Sequence, residues 1–378
     1  MQKRIKIVSV GIIFIVLFVS VIILNNNTNN KHTFKKDGIL YALSLDGKSI
    51  TSFPSKGLYK ANVSCEGADG KWLYDDWKLA IENITGDVSC DIKFETITKT
   101  YFNDYITSLA GTTQGTGQVV NENGYRYEGK NPNNYVWFNN EYWRIIGVFD
   151  SGSHGQSGKN LVKIIRTDVL DGLAWHKSNT NDWTAASLNS LLNGAYYNAQ
   201  DGTSSGYCYG YSTTATANCD YTKKGIQSGY RNMIANVTWY LGGYSDASAT
   251  TEAFYGYERG TTVYSGRPTT STGYIGLMYP SDYGYSVLSS SCARTTNLSS
   301  YNSSTCAGQS WLYGKGYEWT LTPYSSSSNY VFNLSRYSSL DYFGASGGFG
   351  VRPVLYLDAS VYKIDGEGTI DKPYIIGM

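Results

Sequence analysis

The chain has 378 residues, of which 41% are hydrophobic, enough to build more than one buried core. Its net charge of +1 and its 16% of charged residues exclude a broad basic surface for nucleic acid. The unusual part of the composition is 35 tyrosines and 41 glycines, which fit either solvent-facing strand positions or a tyrosine-rich contact surface.

An uncharged apolar run from Ile7 to Leu24 is long enough for a helix that crosses a bilayer. Basic residues precede this run, and positive flanks stay in the cytoplasm. We therefore predict a cytoplasmic tail over residues 1–6, a single transmembrane helix over 7–24, and extracellular domains after it. A cleaved signal peptide is the alternative, although its apolar part is usually shorter, about 7–15 residues.

The next segments predict a tether and a small module. Residues 25–37 are polar and low in complexity, which is typical of a flexible linker. Short alternating runs fill residues 38–97, and Asp46-Gly47 between two of them predicts a tight hairpin turn. We predict a small β-sandwich-like module here. Residues 98–133 are rich in turn residues and are predicted as a connector that holds a short helix.

Residues 134–378 are predicted as one large domain. It opens on three strand patterns, YVWF, EYWRIIGVFD and NLVKIIRTDVL. An apolar stripe at helical spacing over residues 188–196 then predicts a helix. A second short helix is predicted near GYRNMIANVTWYLGG, residues 229–243. Long loops follow, and strand patterns close the chain, ending in GVRPVLYLD. The sequence as a whole predicts an α+β fold with an N-terminal transmembrane helix.

All six cysteines lie beyond the apolar run, and an even number in an exported region indicates disulfides. Sequence order suggests three local bridges, although other connectivities are open. The candidate pairs are Cys65–Cys90, Cys208–Cys219 and Cys292–Cys306. None has C-x-x-C spacing and histidine is nearly absent, so we predict no metal site and no cofactor.

Two glycine-rich stretches match catalytic motifs only in part. Gly344–Gly348 fits G-x-S-x-G, which needs a helix after it, whereas a strand pattern follows here. Gly155–Lys159 lacks the first glycine and the final hydroxyl of a phosphate loop. The acidic residues are scattered, with Glu318 and Asp341 the pair that an enzyme acting on envelope glycans would use. We therefore predict no catalytic residue.

The stretch 324–350 carries the strongest indication of binding. It is dense in Tyr, Ser, Asn and Gly and precedes a hydrophobic strand pattern. An adaptable aromatic loop on a rigid strand is typical of a binding surface. The alternative is a long surface loop without a ligand. The candidate ligand-binding residues are Tyr324, Tyr330, Arg336, Tyr337, Asp341, Tyr342 and Phe343.

A family resemblance rests on five segments in order: WRIIGVF, VKIIRTDVL, DWTAASLNSLLNGAYYN, EWTLTPYS and GGFGVRPVLYLD. They resemble an uncharacterised family of gut-bacterial surface proteins, whose domain is similar to the formylglycine-generating-enzyme type of the C-type lectin fold. The ending G-V-R-P-V-L-Y-L is the most specific part. The cysteine-bearing module over 38–97 looks like one that often precedes this domain. The resemblance implies a cell-surface location and a loop-rich C-type-lectin-like domain over residues 134–378.

The chain lacks the residues that carry the chemistry of the related families. The paired cysteines of the formylglycine-generating enzymes are missing, as are the sugar-binding tripeptides E-P-N and Q-P-D. The variable proteins of diversity-generating retroelements are similar in fold, and their mutable positions precede the final strands, as 324–350 does here. The missing catalytic groups and the Tyr/Ser/Asn-rich stretch 324–350 predict a non-catalytic binding or adhesion protein with an unknown extracellular glycan or protein as its ligand and no nucleic-acid partner. A passive envelope component is the alternative.

Overall fold

The computed structural model describes residues 33–36, 39–211, 218–302, 305–314 and 316–378. The chain divides into two compact units, one ending at Lys99 and the other covering Thr100–Met378. Strands hold 38% of the residues and helices 15%, and the sheets are curled. The protein is therefore mostly β.

The first unit contains seven described strands. They are β1 (Thr33–Lys36), β2 (Ile39–Leu45), β3 (Lys48–Ser49), β4 (Tyr59–Glu66), β5 (Asp69–Leu73), β6 (Lys78–Glu82) and β7 (Val88–Thr96). Five of them form a sheet in the order β1-β2-β7-β4, with β3 paired to β2, while β5 and β6 form a separate hairpin. The predicted turn at Asp46-Gly47 is confirmed, because both residues have positive φ angles, 47° and 78°.

Aromatic rings fill the core of this first unit. Trp72 of the β5–β6 hairpin is 4% exposed, and its ring lies 4.9 Å from Phe94 of the sheet. Phe53 and Trp77 lie edge-on to the same indole, at 5.1 and 5.2 Å. Such rings bury large apolar areas and hold the hairpin against the sheet.

The three predicted disulfides are confirmed. Cys65 and Cys90 lie directly opposite each other on β4 and β7, with a Cα–Cα distance of 4.1 Å. The other two bridges, Cys208–Cys219 and Cys292–Cys306, close short loops of the second unit. No described cysteine is free.

Removing the first bridge is expected to destabilise the first unit by about 2–4 kcal/mol, because a unit this small buries little apolar surface. Replacement of both Cys65 and Cys90 by alanine should raise amide hydrogen exchange across residues 39–96. The matched control replaces Cys208 and Cys219, and it should leave exchange in the first unit unchanged. Equal exchange in the first unit of both variants would contradict the prediction.

The second unit contains eighteen described strands. They are β8 (Thr100–Tyr101), β9 (Thr113–Gln114), β10 (Gly117–Asn121), β11 (Tyr125–Gly129), β12 (Tyr135–Phe138), β13 (Glu141–Phe149), β14 (Leu161–Arg166), β15 (Leu170–Ala174), β16 (Val237–Tyr240), β17 (Thr270–Gly273), β18 (Ile275–Gly276), β19 (Glu318–Pro323), β20 (Tyr330–Leu334), β21 (Leu340–Gly344), β22 (Gly348–Val351), β23 (Val354–Tyr356), β24 (Tyr362–Asp365) and β25 (Tyr374–Gly377).

Its helices are short. They are α1 (Phe102–Ser108), α2 (Ser151–His154), α3 (Ser187–Leu191), α4 (Thr251–Glu258) and α5 (Pro280–Ser286). A π-helical turn, Leu192–Tyr196, continues α3. Single 3-10 turns add Trp183–Ala185, Ser228–Met233, Leu298–Ser300 and Ala307–Gln309. The helix predicted over 188–196 is thus confirmed, and its Leu188, Leu191, Leu192 and Tyr196 are buried.

Two main sheets organise the second unit. The larger has eleven strands along the order β18-β23-β14-β13-β12-β25-β24-β8, with β11, β10 and β9 branching from β13. The smaller has the order β15-β22-β19-β20-β21. The stretch 98–133, predicted as a connector, contributes β8 to β11 and α1 to this unit, and Phe102 and Ile106 of α1 are fully buried.

The closing GVRPVLYLD segment is two strands in different sheets. β22 belongs to the smaller sheet and β23 to the larger one, and Arg352-Pro353 separates them. Proline has no N–H to donate to a ladder, so it ends the first strand. Arg352 is buried at this corner, where its Nε donates to Glu318 Oε2 at 2.6 Å.

The predicted α+β fold class is wrong, because the structure is mostly β. The prediction contained too much helix, partly because residues 229–243 were expected to be helical. They form a 3-10 turn followed by strand β16, whose Val, Thr, Trp and Tyr favour strands. The transmembrane helix predicted over 7–24 lies outside the described residues. Among the residues that are described, no helix is long and apolar enough to span a bilayer.

Candidate ligand-binding surface

The stretch 324–350 contains three strands joined by turns rather than one adaptable loop. Strands β20 and β21 form an antiparallel hairpin, and β22 follows directly after it. The turn between β20 and β21 contains Arg336 and Tyr337, and Ser338 there has a φ angle of 77°. Four of the seven predicted binding residues, Tyr330, Asp341, Tyr342 and Phe343, therefore lie on strands, and register sets their positions.

The loop before the hairpin, residues 324–329, is held by a buried amide. The Asn181 side chain donates to the carbonyl oxygens of Tyr324, Ser327 and Tyr330 at 2.9, 2.8 and 3.0 Å. Arg267 Nε in turn donates to Asn181 Oδ1 at 3.2 Å. Because Asn181 is 1% exposed, these bonds fix the loop from beneath.

Register separates the predicted residues onto two faces of the hairpin. Tyr342 lies opposite Phe332, and Phe343 lies opposite Val331. Successive side chains of a strand point to opposite faces, so Tyr342 and Phe343 cannot belong to one patch. Asp341, two residues before Phe343, shares the face of Phe343.

The first face is a tyrosine cluster. The ring centre of Tyr342 lies 4.4 Å from that of Tyr324 and 5.5 Å from that of Tyr330. Both Tyr324 and Tyr342 also contact buried Phe332, at 5.6 and 6.4 Å. Burial is the main cause that raises the pKa of Tyr324. These rings are largely engaged with each other and cover the hydrophobic core.

The second face carries a continuous series of side chains that we call the aromatic row: Phe343, Phe349, Tyr317, Arg336 and Tyr337. Phe349 lies at its centre, with ring-centre distances of 5.1 Å to both Phe343 and Tyr317. Trp319, 4.6 Å from Phe349, forms the buried floor beneath the row. Phe343 is 45% exposed and Tyr337 64%, so the row presents large rings to solvent.

Arg336 lies between Tyr317 and Tyr337 and is the one cation of the row. Its guanidinium carbon lies 4.8 Å from the Tyr337 ring centre and 5.9 Å from that of Tyr317. The hydrogen bond from Arg336 Nη2 to the Tyr337 hydroxyl, at 2.6 Å, is the main cause that raises the pKa of Arg336. Among the described residues no carboxylate lies within 4.0 Å of this guanidinium. It is thus a charge held in place by rings and open to an acceptor from outside.

Asp341 protects the edge of the sheet. Strand β21 is the last in its sheet, and its Tyr342 N–H donates to Asp341 Oδ1 at 2.8 Å instead of to a neighbouring strand. An edge satisfied by a side chain is a poor template for another strand. This edge is therefore poorly suited to pairing with a further strand.

The carboxylates of Glu318 and Asp341 do not form an acid/base pair. Glu318 pairs with Leu334, and Leu334 with Leu340, so Asp341 points to the opposite face of the sheet. Glu318 is also 2% exposed and bound to Arg352. Glycosidases need two carboxyl groups facing one cleft.

Sequence reasoning missed two residues of the row. Tyr317 lies before the dense Tyr/Ser stretch, and Phe349 lies at its far end. Tyr317 comes just before β19, and Phe349 lies in the G-G-F-G segment of β22. A signal was present in the isolated aromatic residues that flank strand patterns, but only the pairing of β19 with β22 brings them together.

No described group of His, Cys, Asp and Glu side chains is arranged to hold a metal ion. Comparison with protein-family models, with curated proteins and with solved structures found no match for this chain.

Proposed function

We propose that this is an exported, non-catalytic ligand-binding or adhesion protein, and that the aromatic row is its contact surface. The observation that carries the proposal is the row itself, in which exposed rings from three parts of the smaller sheet lie beside an arginine that has no carboxylate partner among the described residues. Exposed aromatic residues that contact one another are uncommon on a surface without a partner. The three disulfides support an oxidising, extracellular location.

The chemistry of the row suits a ligand with flat apolar faces and polar edges. Rings such as Phe343 and Tyr317 supply apolar area at a low entropy cost. Arg336 adds a charged donor with several N–H groups, and Asp341 on the same face adds an acceptor. A surface glycan or a protein loop offers this combination, and the proposal covers both.

The test uses the full chain on a glycan array and on whole cells. Replacing Tyr317 and Phe343 by alanine should weaken binding roughly tenfold or more, because central aromatic anchors dominate the energy of an interface. The matched control replaces Tyr330 and Tyr342, two exposed rings of the other face, and should bind within about twofold of the unaltered chain. Binding that survives in the first variant and fails in the second would refute the assignment of the row.

A further inference from the structure

A cluster of buried charges in the second unit contains none of the residues of the aromatic row. Lys163 of β14 and Asp282 of α5 have side chains 1% and 0% exposed, and Lys163 Nζ lies 2.5 Å from Asp282 Oδ2. The two residues are 119 positions apart in the chain. Arg126 Nη1 also donates to this carboxylate, reaching Oδ1 at 3.1 Å.

Aromatic rings enclose the lysine. Its Nζ lies 4.4 Å from the ring centre of Tyr279, and three further rings lie within 6 Å: Phe149, Trp239 and Tyr356. Such a cage excludes water and removes the solvation that keeps an ion pair charged. Burial is the main cause that lowers the pKa of Lys163, to about 8, so the neutral amine is accessible.

We propose that Lys163 and Asp282 join covalently, through an amide between Lys163 Nζ and Asp282 Cγ. Nucleophile and carboxyl group are already in contact, so the reaction is intramolecular and needs no diffusion. It also replaces the buried charges of Lys163 and Asp282 by one neutral amide, whose oxygen, derived from Oδ1, remains the acceptor for buried Arg126.

The reaction balances without a co-reactant. A proton first passes from Lys163 Nζ to Asp282 Oδ2, which gives an amine and a carboxylic acid. This transfer is uphill, because burial of Asp282 is outweighed by the charges of Lys163 and Arg126, which lower the pKa of its carboxyl group. The Nζ lone pair then forms a bond to Cγ, and the carbonyl electron pair moves to Oδ1. The Cγ–Oδ2 bond breaks, and the hydroxyl leaves as water with a second proton from Nζ. An ammonium and a carboxylate thus become one amide and one water.

Two neighbouring groups assist this step. Arg126 Nη1 donates to Oδ1, where negative charge develops in the tetrahedral intermediate. The backbone N–H of Tyr279 donates to Oδ2 at 2.9 Å and orients the leaving oxygen. Neither Arg126 nor Tyr279 belongs to β14, the strand of Lys163. Both therefore hold the carboxyl group in place while the amine attacks.

Peptide mapping of the purified full chain tests the proposal. After reduction and trypsin digestion, Asp282 lies in the peptide 260–294, since Pro268 blocks cleavage after Arg267. We expect a branched product in which this peptide is joined to 160–166, uncut after Lys163 and lighter than the two together by one water. Recovery of 260–294 alone, with cleavage after Lys163, in folded and disulfide-bonded protein would overturn the proposal.

The variant Lys163→Arg is the matched control. Arginine keeps the positive charge and the ion pair, but a guanidinium is a poor nucleophile. It should yield an unbranched 260–294 peptide and migrate differently from the unaltered chain on a reducing, denaturing gel. Identical migration of the two proteins would count against the cross-link, and peptide mapping of the unaltered chain decides the matter even if the variant folds poorly.

Discussion

Replacing Arg352 by methionine is expected to destabilise the second unit by about 3–5 kcal/mol, because it leaves the Glu318 carboxylate buried without its partner. Glu318 and Arg352 are 2% and 7% exposed, and 2.6 Å separates Glu318 Oε2 from Arg352 Nε. Arg352 Nη2 also donates to the carbonyl oxygen of Leu312 at 2.5 Å. The pair lies where the chain passes from one sheet to the other, so its loss should loosen both. Urea unfolding followed by circular dichroism measures the change.

Two further variants distinguish the effect of an unpaired buried carboxylate on stability from the effect of losing any arginine. Arg336→Met removes an exposed arginine and should change the free energy of unfolding by less than about 0.5 kcal/mol. Adding Glu318→Gln to the Arg352 variant should recover part of the lost stability, because the uncompensated charge disappears. Equal effects of the two arginine variants would show that the Glu318–Arg352 contact contributes no more than a surface side chain.

Local sequence patterns predicted the disulfides and many of the strands, although not β8 to β11 in the stretch 98–133. The alternating runs that hold Cys65 and Cys90 became β4 and β7, and Asp46-Gly47 formed the expected turn. Hairpins and neighbouring cysteines depend on residues close in the chain, so a single sequence contains most of the necessary information. The predicted helix at Leu188 succeeded for the same reason.

The fold class and the site depended on long-range pairing, which local patterns do not contain. Nothing near Pro353 indicates that the strands before and after it belong to different sheets. The adjacent residues Tyr342 and Phe343 were predicted as one patch, although the strand period places them on opposite faces once β21 is recognised as a strand. Tyr317 and Phe349 joined the site only through the parallel pairing of β19 with β22.

Buried charges were the least predictable feature. Lys163 lies in a run of β-branched residues and Asp282 in a short polar segment, and neither stands out in the sequence. Solvated surface charges are the default for such residues. Only the packing of α5 against the larger sheet, with Arg126 of β11 beside it, reveals the cluster.

Glu258 belongs to the same region and predicts how stability depends on pH. It is the last residue of α4 and is fully buried, and burial is the main cause that raises its pKa to about 7. Arg259, at 3.1 Å, and the Ser281 hydroxyl and N–H oppose this rise without cancelling it. In the unfolded chain a glutamate titrates at about 4.3.

The direction of this pH dependence follows from which state, folded or unfolded, keeps the proton on Glu258. Between pH values of about 4.5 and 7 the folded protein keeps the Glu258 proton that the unfolded chain has released, so the free energy of unfolding falls as the pH rises. The free energy of unfolding decreases by about 3 kcal/mol in total. The decrease is absent below the pKa of Glu258 in the unfolded chain and complete above its pKa in the folded protein. Glu258→Gln stays neutral and can still accept from Ser281, so its stability should be nearly flat over this range.

Denaturant unfolding at several pH values between about 5 and 8 measures the difference. At the upper end Glu258→Gln should be more stable than the unaltered chain by up to about 3 kcal/mol, less the lost attraction to Arg259. Glu252→Gln, an exposed position on the same helix, should follow the unaltered curve. A Glu258→Gln curve parallel to that of the unaltered protein would mean that the carboxylate is already ionised at pH about 5 and that Arg259 outweighs burial.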